Sequence, residues 1–168
     1  LNCGFDIDQA RLIAIGDFSI DDDSDTQPVT PGGGRDSVKW KWHALPENNP
    51  DVDKNDISTG NQEIKQRQHE LYDRAMNTEN LSVKLFNFGQ YLHYTEDKWG
   101  HWGYTTFIGH GLEEIKPGKT SPDATHANPE NYRYMVFDSM VNLGNLAKSI
   151  GIKSKCQTDM LPLDTYHS

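Results

Sequence analysis

The chain of 168 residues has the length of one domain, and its 35% hydrophobic and 10% aromatic residues can build a core, which excludes an intrinsically disordered chain. A formal net charge of −9, from 25 acidic and 16 basic residues, excludes a long-range field that attracts nucleic acid or an anionic membrane. Because there is no apolar run of about 18 residues and no basic-then-apolar leader, we expect neither a transmembrane segment nor a retained signal peptide.

The first predicted element is a helix near the N-terminus. Asp8 can cap this helix, and apolar residues recur at helical spacing from Ala10 to Phe18. The acidic stretch 21–25 then breaks the periodicity. This stretch is either a solvated turn or a set of metal ligands.

Two predicted loops follow, with a short aromatic segment between them. Residues 28–34 and most of residues 44–60 are rich in proline, glycine and polar residues, which is typical of loops. Residues 40–43, with the sequence Trp-Lys-Trp-His, place tryptophans at alternate positions. This alternation indicates either a short strand or an ordered loop packed on the core.

Two further helices are predicted in the middle of the chain. Residues 59–62 have the order of a capping box, and the apolar spacing after them predicts a helix that continues to Asn77. A third helix is predicted to begin near Leu81 and to end between Gly100 and Gly103. It carries two histidines and an aspartate within nine residues, 93–101.

The last third of the sequence predicts a long loop and one more helix. Residues 104–127 contain several glycines and prolines and are predicted to be an irregular crossing segment. Residues 128–130, Asn-Pro-Glu, supply an N-cap, a first-turn proline and an acidic residue, so we expect a helix that ends at Gly151. The tail, residues 152–168, is predicted to be irregular.

The third predicted helix carries a pattern typical of a metal site. His93, Asp97 and His101 stand at i, i+4 and i+8, and side chains at this spacing drift only about 80° around a helix. All three can therefore point into one pocket. Imidazole nitrogen and carboxylate oxygen are zinc ligands, and a carboxylate between two histidines can bridge two ions. We predict a metal site here and assign Asp97 the bridging, catalytic position.

Other candidates are weaker when each is taken alone. His110 and Asp123 lie in the predicted crossing segment, where each is either a ligand or part of a turn. His43 is either a ligand or a histidine packed among aromatic residues. One further group can be core or the apolar wall of a substrate pocket, and it consists of Trp99, Trp102 and Tyr104.

These residues together resemble the zinc-dependent phospholipase C and single-strand nuclease superfamily, in a bacterial branch of it. The resemblance covers about residues 3–145 and is carried by the order of five motifs along the chain. These are the acidic pair at 21–22, His43 in His-Ala-Leu-Pro, the spacing from His93 to His101, Gly-His at 109–110 and Pro-Asp at 122–123. It implies an all-α fold, a compact helical domain with long loops and a metal cluster between the helices. It also implies one to three zinc ions, with the ligands Asp22, His43, His93, Asp97, His101, His110 and Asp123.

The resemblance implies a function of the same kind. We expect a metal-dependent phosphodiester hydrolase, phospholipase C-like, in which metal-bound hydroxide is the nucleophile. Phospholipid is favoured over nucleic acid as the substrate, because the aromatic residues suit an apolar ligand and the sequence has no run of basic residues that could bind a nucleic-acid backbone. Two alternatives stay open. One is a secreted or delivered antibacterial toxin domain that acts on lipid, nucleic acid or cell wall and has an immunity protein as partner, and the other is a structural metal-binding module without catalysis.

Features near the termini bear on organisation and location. We expect residues 1–168 to form a single domain. The start at Leu1 and not at Met suggests a processed product, an excised domain or a trimmed chain, for example the C-terminal part of a larger protein. Cys3 and Cys156 can form one disulfide that closes almost the whole chain, or can stay as two free thiols. We expect a secreted, extracytoplasmic or delivered protein.

Overall fold

The structure is a computed structural model that describes residues 3–23, 25–26, 41–44, 62–100 and 129–156. These residues form four helices and no strand, so the predicted all-α fold class is confirmed. The helices are α1 (Ile7–Asp22), α2 (Gln62–Met76), α3 (Leu81–Gly100) and α4 (Pro129–Ser149). In the described part of the chain, no helix is long and apolar enough to span a lipid bilayer.

Helix α1 begins two residues earlier than predicted and extends four residues further. Asp6 is the N-cap, in a capping box where its carboxylate accepts from the Gln9 backbone N–H at 2.8 Å and the Gln9 side chain accepts from the Asp6 N–H at 3.0 Å. Asp8, the predicted cap, lies in the first turn instead, where its negative charge interacts favourably with the positive end of the helix dipole. The acidic stretch continues the helix to Asp22, so the predicted break at residue 21 was wrong.

Helix α3 lies at the centre of the described fold and packs against α1, α2 and α4. This position explains why α3 is buried or half-buried from Lys84 to its end, whereas its first turn is exposed. Full burial of each large apolar side chain contributes about 1.5 to 3 kcal/mol. The buried residues of α3 include Leu85, Phe88, Tyr91, Leu92, His93, Tyr94, Thr95 and Trp99.

The packing of α1 on α3 is a close backbone contact between two glycines. A Cβ added to Gly89 would lie 2.6 Å from the backbone nitrogen of Asp17 and 2.9 Å from the Cα of Gly16, and one added to Gly16 would overlap the carbonyl of Phe86. Only glycine allows the two helices to approach this closely. The contact fixes the position of the α1 turn that follows Gly16 relative to α3.

Helices α2 and α4 end close to where the sequence predicted. Helix α2 ends at Met76, one residue before Asn77, and its predicted capping box falls on residues mostly outside the described ones. Helix α4 begins at Pro129 and ends in a Schellman motif. There Gly151 has a φ of 77°, and the Ile152 N–H donates to the carbonyl of Ala147 at 2.8 Å.

Residues 41–43 form a helical turn, so neither the strand nor the loop predicted for this segment is found. The alternating tryptophans indicated an extended segment, but His43 and Ala44 are both buried, which alternation does not produce. Ala44 has a φ of 46°, in the left-handed region, and this turns the backbone immediately after His43.

A disulfide between Cys3 and Cys156 joins the segment before α1 to the segment after α4. The two Cα atoms are 4.4 Å apart, and beside them the Lys155 N–H donates to the carbonyl of Cys3 at 3.0 Å. The sequence left open a disulfide or two free thiols, and the structure has the disulfide.

Candidate metal centre

Three elements supply the side chains of the candidate site, and each is fixed by a different contact. Helix α1 carries Asp17 and Asp21 one turn apart, and α3 carries His93 and Asp97 one turn apart, so each pair lies on one face of its helix. The glycine contact between α1 and α3 brings the two pairs together. His43 comes from the helical turn at residues 41–43.

Helix α2 holds the turn that carries His43. The Arg67 guanidinium donates through Nε to the carbonyl of Lys41 at 3.1 Å and lies 5.1 Å from the centre of the Trp42 ring. Arg74, two turns along the same helix, lies 5.8 Å from the same ring. These cation–π contacts and the hydrogen bond hold the turn against α2. The position of His43 is therefore fixed by the contacts of its neighbours as well as by its own.

The two imidazole nitrogens and the carboxylates converge at distances that suit a metal ion. His43 Nδ1 and His93 Nε2 are 3.4 Å apart, and Asp97 Oδ2 lies 2.9 Å from the first and 3.2 Å from the second. Asp21 Oδ1 lies 3.8 Å and 3.7 Å from the same two nitrogens. Ligands about 2.1 Å from a tetrahedral zinc ion are about 3.4 Å apart. The Asp21, His43 and His93 group can hold a metal ion.

The outer nitrogen of each imidazole faces an acceptor. His43 Nε2 lies 2.8 Å from the main-chain carbonyl of Thr26, and His93 Nδ1 lies 3.2 Å from Asp17 Oδ1. A carbonyl or a carboxylate can only accept, so each outer nitrogen can hold the ring proton of a neutral histidine. Asp97 offers the inner nitrogens an acceptor as well, but a cation in the group would leave the proton at the outer nitrogen and take the inner lone pair. This is the arrangement of metal-bound histidines, whose second N–H is held by a carboxylate or carbonyl.

The charges around His93 favour a positive charge at this position. Burial alone would lower its pKa, but the hydrogen bonds with Asp17 and Asp97 and the charges of Asp97 and Asp21 outweigh burial and raise the pKa to about 10. Without a metal ion, a proton supplies the positive charge between the carboxylates. A bound cation would take over that role.

Glu96 borders the group on the side of α4. Burial, followed by the charge of Asp17, raises its pKa to about 7, although the hydroxyl of Ser139 donates to its carboxylate at 3.2 Å and opposes the rise. A half-buried carboxyl group that changes charge near neutral pH therefore lies next to the site. Glu96 is not among the site residues predicted from the sequence.

The structure brings together three of the predicted ligands, His43, His93 and Asp97. Asp21 and not the adjacent Asp22 completes the group, because Asp21 lies one turn after Asp17 on the face towards α3. Asp17 was not predicted, although its position four residues before Asp21 is visible in the sequence. The remaining predicted residues lie outside the described ones: His101, His110, Asp123, Trp102 and Tyr104.

Trp99 lies inside the fold. Its side chain is 4% exposed, its ring stacks on Tyr134 at a centroid distance of 5.2 Å, and its indole N–H donates to Asp138 at 3.0 Å. These contacts join α3 to α4. A role of Trp99 in substrate binding stays a prediction.

Comparisons of the chain with protein-family models, with curated proteins and with solved structures found no match.

Proposed function

We propose that this protein is a metal-dependent hydrolase of phosphoesters that uses a divalent ion of the zinc class. One observation carries the proposal: two buried imidazole nitrogens and two carboxylates converge, and the outer nitrogens of both histidines are already held by acceptors. Four converging acceptors repel one another unless a cation or a proton lies between them. A bound zinc ion lowers the pKa of a coordinated water to about 7 and stabilises negative charge on phosphoryl oxygens.

The side chains have separate roles in this proposal. His43 and His93 hold the ion, and Asp97, with 19% of its side chain exposed, supplies the nearest carboxylate from inside the fold. The side chain of Asp21 is 56% exposed, so the group opens to solvent on the α1 side. We expect substrate to approach from that side.

The choice of a phosphoester rests on the resemblance to the zinc-dependent phospholipase C and single-strand nuclease superfamily, and the charge of the chain adds one requirement. The chain carries a net charge of −9, so attraction of an anionic substrate requires a local positive centre, which the bound ion would provide. We retain phospholipid as the favoured substrate and nucleic acid as the alternative. In the described part of the chain, Arg67 and Arg74 lie over Trp42, and Arg67 also pairs with Glu70 at 3.1 Å, so they do not form an open track for a polymer backbone.

Metal content and hydrolysis test the proposal together. The full chain is expected to bind zinc and to cleave a phosphocholine lipid, and both properties should be lost in His93→Ala and in Asp97→Ala. His69→Ala is the matched control, because this histidine is 76% exposed on α2 and pairs with Asp73. Cleavage of single-stranded DNA and not of lipid would reverse the substrate preference. Full hydrolysis by zinc-free protein would refute the proposal.

A structural metal site is the second candidate, and the number of carboxylates favours it. With Asp21 and Asp97 both bound, four protein ligands would close the shell, as they do in structural zinc sites. Such an ion would clamp the turn at residues 41–43 to α1 and α3. Binding of a small anion to the cobalt-substituted protein, seen as a change in visible absorption, is expected for the hydrolase and not for a closed site.

The disulfide supports a location outside the reducing cytoplasm. Disulfides persist in secreted and periplasmic proteins and are rare in cytosolic ones. We therefore propose that the chain with the bond between Cys3 and Cys156 acts in an extracytoplasmic compartment.

A further inference from the structure

We propose that Asp17 is a positioning residue of the metal centre, which holds the Nδ1–H of His93 and so presents the Nε2 lone pair to the ion. The inference rests on the metal centre of the proposed function and adds a residue that acts through His93. Asp17 belongs to no predicted ligand set.

The geometry around the His93 ring points to this role. Asp17 Oδ1 lies 3.2 Å from Nδ1, while Nε2, on the other side of the ring, lies 3.2 Å from Asp97 Oδ2 and 3.4 Å from His43 Nδ1. A neutral imidazole carries one proton, and the acceptor at Nδ1 lets that proton stay on Nδ1 while the ion takes the Nε2 lone pair that otherwise faces Asp97. Without that acceptor, the proton could also sit on Nε2 and block the ligand position.

Asp17 is placed rigidly enough to act in this way. It follows Gly16 directly, and its backbone nitrogen lies in the close contact with Gly89, where a single added methyl group would approach it to 2.6 Å. The main chain at Asp17 therefore has little freedom to move relative to α3. Its carboxylate, with 39% of the side chain exposed, is held at the edge of the buried group.

His43 is oriented in a parallel way by the main chain. Its Nε2 faces the Thr26 carbonyl at 2.8 Å, and the Thr26 hydroxyl in turn donates to the carbonyl of Ile20 at 2.7 Å at the end of α1. Both histidines are thus oriented from α1 or from the residues directly after it. The partner of His43 is a main-chain carbonyl, which a side-chain substitution at Thr26 does not remove. The partner of His93 is the side chain of Asp17, so a substitution can test it.

Zinc affinity and cobalt absorption of the full chain test the proposal. Loss of a carboxylate behind a ligating histidine typically weakens metal binding by roughly 10- to 100-fold, and we expect this of Asp17→Ala. Asp17→Asn should lie between Asp17→Ala and the wild type, because the amide oxygen still accepts. The control Asp8→Asn removes the same charge from the same helix at a side chain that is 83% exposed, and it should bind zinc like the wild type.

Two measurements separate the possible outcomes. If the wild type binds no zinc, the proposed function fails; if the wild type binds zinc and folded Asp17→Ala binds it within about twofold of the wild type, only the role of Asp17 fails. Long-range proton–nitrogen NMR of the zinc-loaded wild type needs no variant. A proton on Nδ1 of His93 supports the proposal, and a proton on Nε2 overturns it.

Discussion

Raising the pH should strengthen zinc binding by about tenfold for each pH unit through the neutral range, because zinc must displace a proton from His93. The pKa of this histidine is raised from 6.5 to about 10: burial acts against the rise, but the hydrogen bonds and charges of the surrounding carboxylates outweigh it. In the metal-free protein at neutral pH, His93 therefore carries a proton on the nitrogen that would bind the ion. Each zinc ion bound should release about one proton.

The raised pKa of His93 also determines how the stability of the metal-free protein depends on pH. Because the folded-state pKa of His93 lies above its unfolded value, its contribution is complete below about pH 6.5 and is lost as the pH rises through about 10. A rise in pKa from 6.5 to about 10 corresponds to about 5 kcal/mol. The side chain is 11% exposed, so solvent screens little of this energy. The metal-free protein should thus become less stable over the same range in which zinc binds more tightly.

Two assays test the predicted pH dependence of zinc affinity and the predicted proton release. Competition with a chromophoric chelator at about pH 6, 7 and 8 should show the affinity rising about 100-fold across the series. Calorimetry in two buffers of different ionisation enthalpy should show release of about one proton for each ion. His69→Ala, an exposed histidine on α2, should leave both results unchanged. A flat affinity with no proton release would show that the His93 nitrogen is not a zinc ligand.

Three further predictions concern stability. Gly89→Ala should destabilise the fold by about 3 kcal/mol in urea unfolding, because the added methyl overlaps the main-chain carbonyl of Ile13 and lies 2.6 Å from the Asp17 nitrogen. Gly100→Ala, whose methyl meets no described atom within 4 Å, should not destabilise it, and equal losses would contradict the tight glycine contact. Replacing both Cys3 and Cys156 by serine should cost about 5 kcal/mol, since the disulfide closes nearly the whole chain, and an unchanged melting temperature would refute this. Burial raises the Glu96 pKa to about 7, so the charged carboxylate is unfavourable in the folded protein above that pH. Glu96→Gln should therefore stabilise the metal-free protein by up to about 3 kcal/mol at about pH 8 and have little effect at about pH 5. An equal gain in stability at both pH values would contradict the raised pKa.

The helices could be predicted because their signals are local. The proline and acidic residue that open α4 and the glycine that ends it follow from helix geometry alone, and the structure places them as expected. The errors arose where tertiary contacts decide. The acidic residues 21–22 continue α1 because Ile20, directly before them, is fully buried, with an exposed fraction of 0%. Residues 41–43 form a helical turn that is tied to α2, which no local pattern indicates.

The candidate site was predictable in part for the same reason. The spacing of His93 and Asp97 is a property of one helix, so the sequence alone places both on one face. Which residues of α1 meet them depends on how that helix crosses α3. The choice of Asp21 over Asp22, and the presence of Asp17, follow from the glycine contact. This contact is visible in the sequence only as two glycines in the middle of predicted helices.

That contact links the fold to the proposed chemistry. Where Gly16 meets Gly89, the two helices are as close as their backbones allow, so short side chains next to the contact can bridge the gap. Asp17 directly follows Gly16 and reaches His93, one turn after Gly89, at 3.2 Å, and one turn after Asp17, Asp21 lies 3.7 Å from the same ring. Aspartate has a short side chain, so a separation larger by even one methyl group would break these contacts. The glycines therefore do more than allow dense packing: they set the distance at which carboxylates of one helix can act on a histidine of the other.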